Sequence, residues 1–125
     1  MPPPARAFAA LVLASMLAGC GHTIRVGASR TLHVALSEYR IVPDTVRAYA
    51  GTLTITALNI GTQTHSFVVS LGNFNENKPL YLAPGASGTI TVDLAPGHYM
   101  LRSTNIDDQA LGLWGTLDVV AVRHG

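Results

Sequence analysis

Cysteine is nearly absent from this 125-residue chain: the one thiol is Cys20. One thiol cannot close an internal disulfide, so hydrophobic burial must hold any folded domain together. Charge is scarce as well. Asp, Glu, Lys and Arg make up 12% of the residues and leave a formal net charge of +1. No basic stripe with interleaved aromatics is present, which argues against a nucleic-acid partner. Internal repeats are missing, and beyond the opening Pro2-Pro3-Pro4 there is no low-complexity tract. No segment keeps helical periodicity over a helical length. What the chain has in quantity is Val, Ile, Leu and Thr, a composition that suits strands.

The position of the one cysteine is informative. Arg6 precedes the uncharged apolar run 7–18, which closes on Leu17-Ala18-Gly19-Cys20. This reads as a secretory signal, too short to span a bilayer, which takes roughly 20 apolar residues. Leu-Ala-Gly-Cys resembles a bacterial lipobox, at which the cysteine is acylated and becomes the new N-terminus. The resemblance implies a membrane as partner through lipidated Cys20. It also implies a place in the bacterial cell envelope, facing the periplasm or the exterior. Gly21, not aspartate, follows Cys20, which by the same resemblance favours the outer membrane if there are two. An acylated thiol is neither ligand nor nucleophile, so the folded part is expected to work without cysteine chemistry. The expected organisation is a signal peptide over 1–19, lipidated cysteine and tether over 20–30, one domain over 31–122 and a tail over 123–125. About 105 residues after cleavage suffice for one core.

Period-two alternation dominates after the tether. Leu32, Val34 and Leu36 share one face of a first strand, with His33 and Ala35 opposite. Thr45–Tyr49 is a short second strand. Leu53, Ile55 and Ala57 mark a third, and His65–Leu71 is a fourth with Phe67 and Val69 on one side. Ile90, Val92 and Leu94 follow the Pro84-Gly85 turn; Tyr99, Leu101 and Ser103 follow the Pro96-Gly97 turn; a last strand covers 115–122. Residues 72–79 read as a polar surface loop, and 104–112 as a loop or one helical turn. Short strands separated by frequent turn signals predict an antiparallel sandwich.

The order of these pieces resembles the cupredoxins, the small blue-copper sandwich family, over nearly all of 31–122. Residues 39–51, YRIVPDTVRAYAG, resemble the family's aromatic–apolar–Pro–strand–Gly opening. Asn59-Ile60-Gly61 followed by His65-Ser66-Phe67 is similar to its Asn-x-Gly…His-x-Phe segment. The two Pro-Gly turns and Gly112-Leu113-Trp114-Gly115-Thr116-Leu117 complete the likeness. The resemblance implies an all-β, antiparallel Greek-key β-sandwich of the cupredoxin type. It also implies a site where two imidazoles, a thiolate and a weak axial thioether hold copper. Here the early histidine is present as His65. The cysteine position falls on Ser103, the second histidine position on Asp108 and the methionine position on Leu113. A serine hydroxyl stays protonated near neutral pH and cannot replace a thiolate, so blue-copper electron transfer does not follow from the fold.

The resemblance still predicts that His65, Ser103 and Asp108 converge, and three readings of that cluster stand open. One is a metal-free remnant in which His65 hydrogen-bonds to Ser103 or backbone and Leu113 packs in place of the thioether. Another is a non-blue metal site of His65 and Asp108, with Asp107 as a substitute if the loop slips by one. The third is a Ser–His–carboxylate triad, which also needs a His–Ser hydrogen bond, an oxyanion hole and a pocket. His98 and His33 are expected to face solvent, His22 and His124 lie in tether and tail, and Trp114 is expected at the core or rim. The expected function is a non-catalytic, membrane-anchored module that binds an envelope protein or another ligand. No cofactor is expected; copper handling around His65 and Asp108 is the alternative, ahead of electron transfer.

Overall fold

The computed structural model describes residues 23–122. The expected signal peptide over 1–19, the cysteine expected to be acylated (Cys20), His22 and the tail with His124 lie outside the described residues. Within them run β1 (Ile24–Arg25), β2 (Thr31–Ser37), β3 (Arg40–Val42), β4 (Thr45–Tyr49), β5 (Gly51–Asn59) and β6 (His65–Leu71). Then come β7 (Phe74–Asn75), β8 (Leu80–Leu82), β9 (Ser87–Leu94), β10 (Gly97–Arg102), α1 (Ile106–Leu111) and β11 (Trp114–Val120). No helix among the described residues is long and apolar enough to cross a membrane.

The strands make two layers. One sheet has the order β1-β4-β11-β10-β6-β7, with β8 also paired to β6; the other has β3-β2-β5-β9. Alternation explains the layering, because successive side chains of a strand point to opposite faces. Leu32, Val34 and Leu36 of β2 and Leu53, Ile55 and Ala57 of β5 are buried, as the sequence predicts. They face Val46, Ala48, Phe67, Val69, Tyr99, Leu101, Leu117 and Val119 in one core. Tyr99 is buried among hydrocarbon but its hydroxyl reaches the Ala95 carbonyl at 2.7 Å, so no polar atom is left unpaired there.

The two-layer sandwich agrees with expectation, but its sheets are mixed. β2 and β5 run parallel, and so do β4 and β11. After β3 the chain crosses to the other sheet to make β4, then returns to lay β5 beside β2 in the same direction. Alternation reports which face a residue occupies and carries no information on strand direction. The stretch expected to be tether also departs from its reading, because Ile24–Arg25 pairs in parallel with β4 and Val26 donates to the Arg47 carbonyl at 2.9 Å. The polar segment 72–79 is exposed in most of its length and contains the short strand β7. From His65 to Ser70, β6 is buried on both faces, where the sequence suggests only one apolar side.

Candidate functional site

One pole of the sandwich collects the polar residues that the core excludes. His65 opens β6, Ser103 follows β10 and Asp108 lies in α1; all three are buried. The helix is set by its ends. Asn105 caps it, its side chain accepting from the Asp107 amide at 3.0 Å. Gly112 ends it at φ 122°, where a Cβ would come within 2.9 Å of the Tyr39 carbonyl oxygen. Between these caps Asp108 turns inward while Asp107 stays exposed, so the loop register assigns the inner carboxylate to Asp108.

The predicted convergence is present. His65 Nδ1 lies 3.0 Å from Asp108 Oδ2, and the Ser103 hydroxyl donates to the same oxygen at 2.9 Å. Ser103 Oγ in turn accepts from the Asn105 amide at 3.1 Å, and Ser66 Oγ stands 3.2 Å away. Leu113, aligned by the resemblance with the thioether, is fully buried.

Sequence reasoning did not single out Glu38, which supplies the other half of the site. His65 Nε2 lies 3.1 Å from Glu38 Oε2. The remaining carboxylate oxygen accepts from the Thr62 hydroxyl at 2.6 Å and the Gln63 amide at 2.9 Å. That loop is shaped by Asn59, whose side chain accepts from the Gly61 amide and donates to the Gln63 and Leu82 carbonyls. A Cβ at Gly61 would overlap the Glu38 carboxylate and push it from this position. An acid two residues past the apolar face of β2, together with a glycine four residues before His65, was the available signal. Ser66 and Thr104 were also passed over; their hydroxyls lie 2.6 Å apart beside Ser103.

Both ring nitrogens of His65 face carboxylate oxygens. A neutral imidazole has one N–H and would turn a lone pair toward one of them, whereas the imidazolium, which donates twice, satisfies both carboxylates. Burial alone would lower the His65 pKa, but the hydrogen bonds to Asp108 and Glu38, with their charges, outweigh it and raise it above the ordinary 6.5. The Thr62 hydroxyl first, then His65, hold the Glu38 carboxyl at about 2, against an ordinary 4.5. Among the described residues every buried side-chain nitrogen and oxygen has a partner.

These donors do not fit the copper centre of the blue proteins. Ser103, where the resemblance expects a thiolate, is a hydroxyl that is already donating, Leu113, where it expects a thioether, has no lone pair, and both nitrogens of His65 are engaged. Glu38 and Asp108 also sit against opposite nitrogens of the ring, so one ion on either nitrogen meets only one of them. Among the described residues no three His, Cys, Asp or Glu side chains converge as a metal site. A catalytic triad is not assembled either, because Ser103 donates to Asp108 and not to His65. His98 is exposed as expected and pairs with Asp118 at 2.6 Å. His33 is exposed, and Trp114, at 47% exposure, lies on the rim and not in the core.

No family model and no curated protein sequence matches the chain. Solved structures do. Reduced auracyanin from Roseiflexus castenholzii superposes with a TM-score of 0.65 at 24% identity, over 75% of this chain and 99% of that one. Auracyanin A from Chloroflexus aurantiacus, a blue copper protein, gives 0.63 at 16% identity over 77% and 99%. Reduced rusticyanin gives 0.61 at 17% identity over 80% and 85%. The fold also occurs as part of a longer chain, a multicopper oxidase of which this protein covers 42%. The described residues therefore form a cupredoxin-like domain.

Proposed function

We propose that the protein is a membrane-anchored lipoprotein of the bacterial envelope, and that its cupredoxin-like domain is a non-catalytic binding or accessory module. The carrying observation is the double engagement of His65. Each ring nitrogen faces its own carboxylate, at the histidine that the resemblance aligns with a copper ligand, so the pole is closed by ion pairs internal to the chain. Such a pole shapes and rigidifies the fold without offering an open ligand position. The anchor rests on the lipobox-like run ending at Cys20.

Copper handling around His65 and Asp108 is the second reading, favoured by an imidazole and a carboxylate side by side, donor types that suit divalent transition metals. It requires copper to displace the proton of His65. Calorimetric titration of the purified protein with copper near pH 6 decides between the readings. The module reading expects no stoichiometric binding at micromolar protein. Stoichiometric binding with proton release, lost in a folded His65→Ala variant, would overturn it in favour of copper handling.

A further inference from the structure

β1 lies at one edge of the sandwich with a groove on either side. Arg25, Arg47, Tyr49 and Val120 line one groove; Ile24, Arg25, His33 and Val42 line the other. Arg25 and Val26 belong to both, so the edge is one continuous surface, and no acidic residue lines either groove. The parallel register sets Arg25 directly beside Arg47. Like charges placed opposite one another on a sheet are destabilising unless an anion lies between them. Neither guanidinium has a salt bridge among the described residues. Asp118 stands in register on the far side of Arg47, but its carboxylate is held by His98. Exposed Ile24, Val42 and Tyr49 flank the pair with apolar and amphipathic surface.

Chain length supplies the occupant. Four residue steps separate Cys20 from Ile24, a reach of at most ~14 Å. We infer that this β1–β4 edge, centred on Arg25 and Arg47, is a membrane-docking surface that binds the headgroups of anionic phospholipids. The inference rests on the reading of Cys20 as acylated. Arginines at an anionic lipid surface attract it additively, about fivefold in affinity for each residue. The opposite edge of the same sheet, β7 with exposed Phe74, lies five strand spacings away, about 24 Å farther from the lipid.

The test uses the full acylated protein in phosphatidylcholine vesicles with and without phosphatidylglycerol. A fluorophore is placed through Tyr49→Cys or Phe74→Cys, and quenching by headgroup-labelled lipid is read. The docking surface expects strong quenching at position 49 and weak quenching at 74 when phosphatidylglycerol is present. High salt, or the joint reversal Arg25→Glu with Arg47→Glu, should bring position 49 down to the level of 74, with the circular dichroism melt unchanged. Equal quenching at the two positions, or quenching at 49 indifferent to phosphatidylglycerol and to the reversals, overturns the surface while leaving the anchor intact. An unacylated Cys20 in the mass of the N-terminal peptide overturns the anchor, and the docking surface with it.

Discussion

Phe67 and His65 are two residues apart on β6, point to the same face and are both inaccessible to water, yet they are held by different physics. Phe67 lies among Leu, Ile and Val side chains of both sheets, where attraction is non-directional and scales with the apolar area buried. His65 lies one pleat further along, where each ring nitrogen meets a carboxylate oxygen at a fixed distance. A packed hydrophobe tolerates a substitute of similar volume. A buried ion cluster does not tolerate loss of one member, because the partner left behind remains charged and desolvated.

The largest expected effect breaks the apolar side of this comparison. Phe67→Ala should cost about 4 kcal/mol in urea unfolding, a large part of the stability of a domain this size, whereas Phe67→Leu should cost about 1 kcal/mol. A loss below about 1 kcal/mol for the alanine variant would show that the site collapses around the cavity and that the core is not close-packed.

The next effect applies the same new side chain to the polar side. His65→Leu restores volume but leaves Asp108 without its cation, and should cost about 3 kcal/mol. The same leucine would then be tolerated at 67 and strongly destabilising at 65. Equal costs at the two positions would erase the distinction.

The smallest effect sharpens the contrast through pH. The His65 pKa is raised on folding, so its stabilisation is complete below the ordinary 6.5 and is lost as pH rises through the folded value. The Glu38 pKa is lowered, so its stabilisation is complete above the ordinary 4.5 and is lost as pH falls toward about 2. The urea midpoint should therefore be highest between pH 4.5 and 6.5 and decline on both sides. Glu38→Gln should flatten the acid side and start the alkaline decline earlier, with the His65 titration read directly by nuclear magnetic resonance. A midpoint that stays flat from about pH 5 to 9 would mean that no proton links these residues to folding. Phe67 variants should keep the wild-type profile, displaced as a whole.

Much of the fold was legible in the chain. The alternations at Leu32-Val34-Leu36 and Leu53-Ile55-Ala57 name the buried faces of β2 and β5, and the Pro-Gly turns place the ends of β9 and β10. The parallel pairing of β2 with β5 was not legible, since direction depends on where β4 goes in between. At the site, His65, Ser103, Asp108 and Leu113 could be aligned with a known pattern, and the structure brings the first three into hydrogen-bond contact. Glu38 could not be found that way. It sits in a position where no copper ligand is expected, and its partner residues lie 24 to 27 positions downstream.

By itself, the sequence determined what the protein is made to bury and which donor atoms it lacks. Alternating Val, Ile, Leu and Thr commit most of its strands to two packed sheets, because an alternating strand has one apolar face to bury. Where the resemblance expects a thiolate and a thioether stand Ser103 and Leu113, and neither side chain offers a soft donor at neutral pH. Tertiary structure alone decided what stands in their place. Only when the β2–β3 turn, the Thr62 loop and α1 meet around the first residue of β6 do two carboxylates flank one imidazole. Charge and hydrogen bonding act over ångströms in space, and separation along the chain holds no record of that distance.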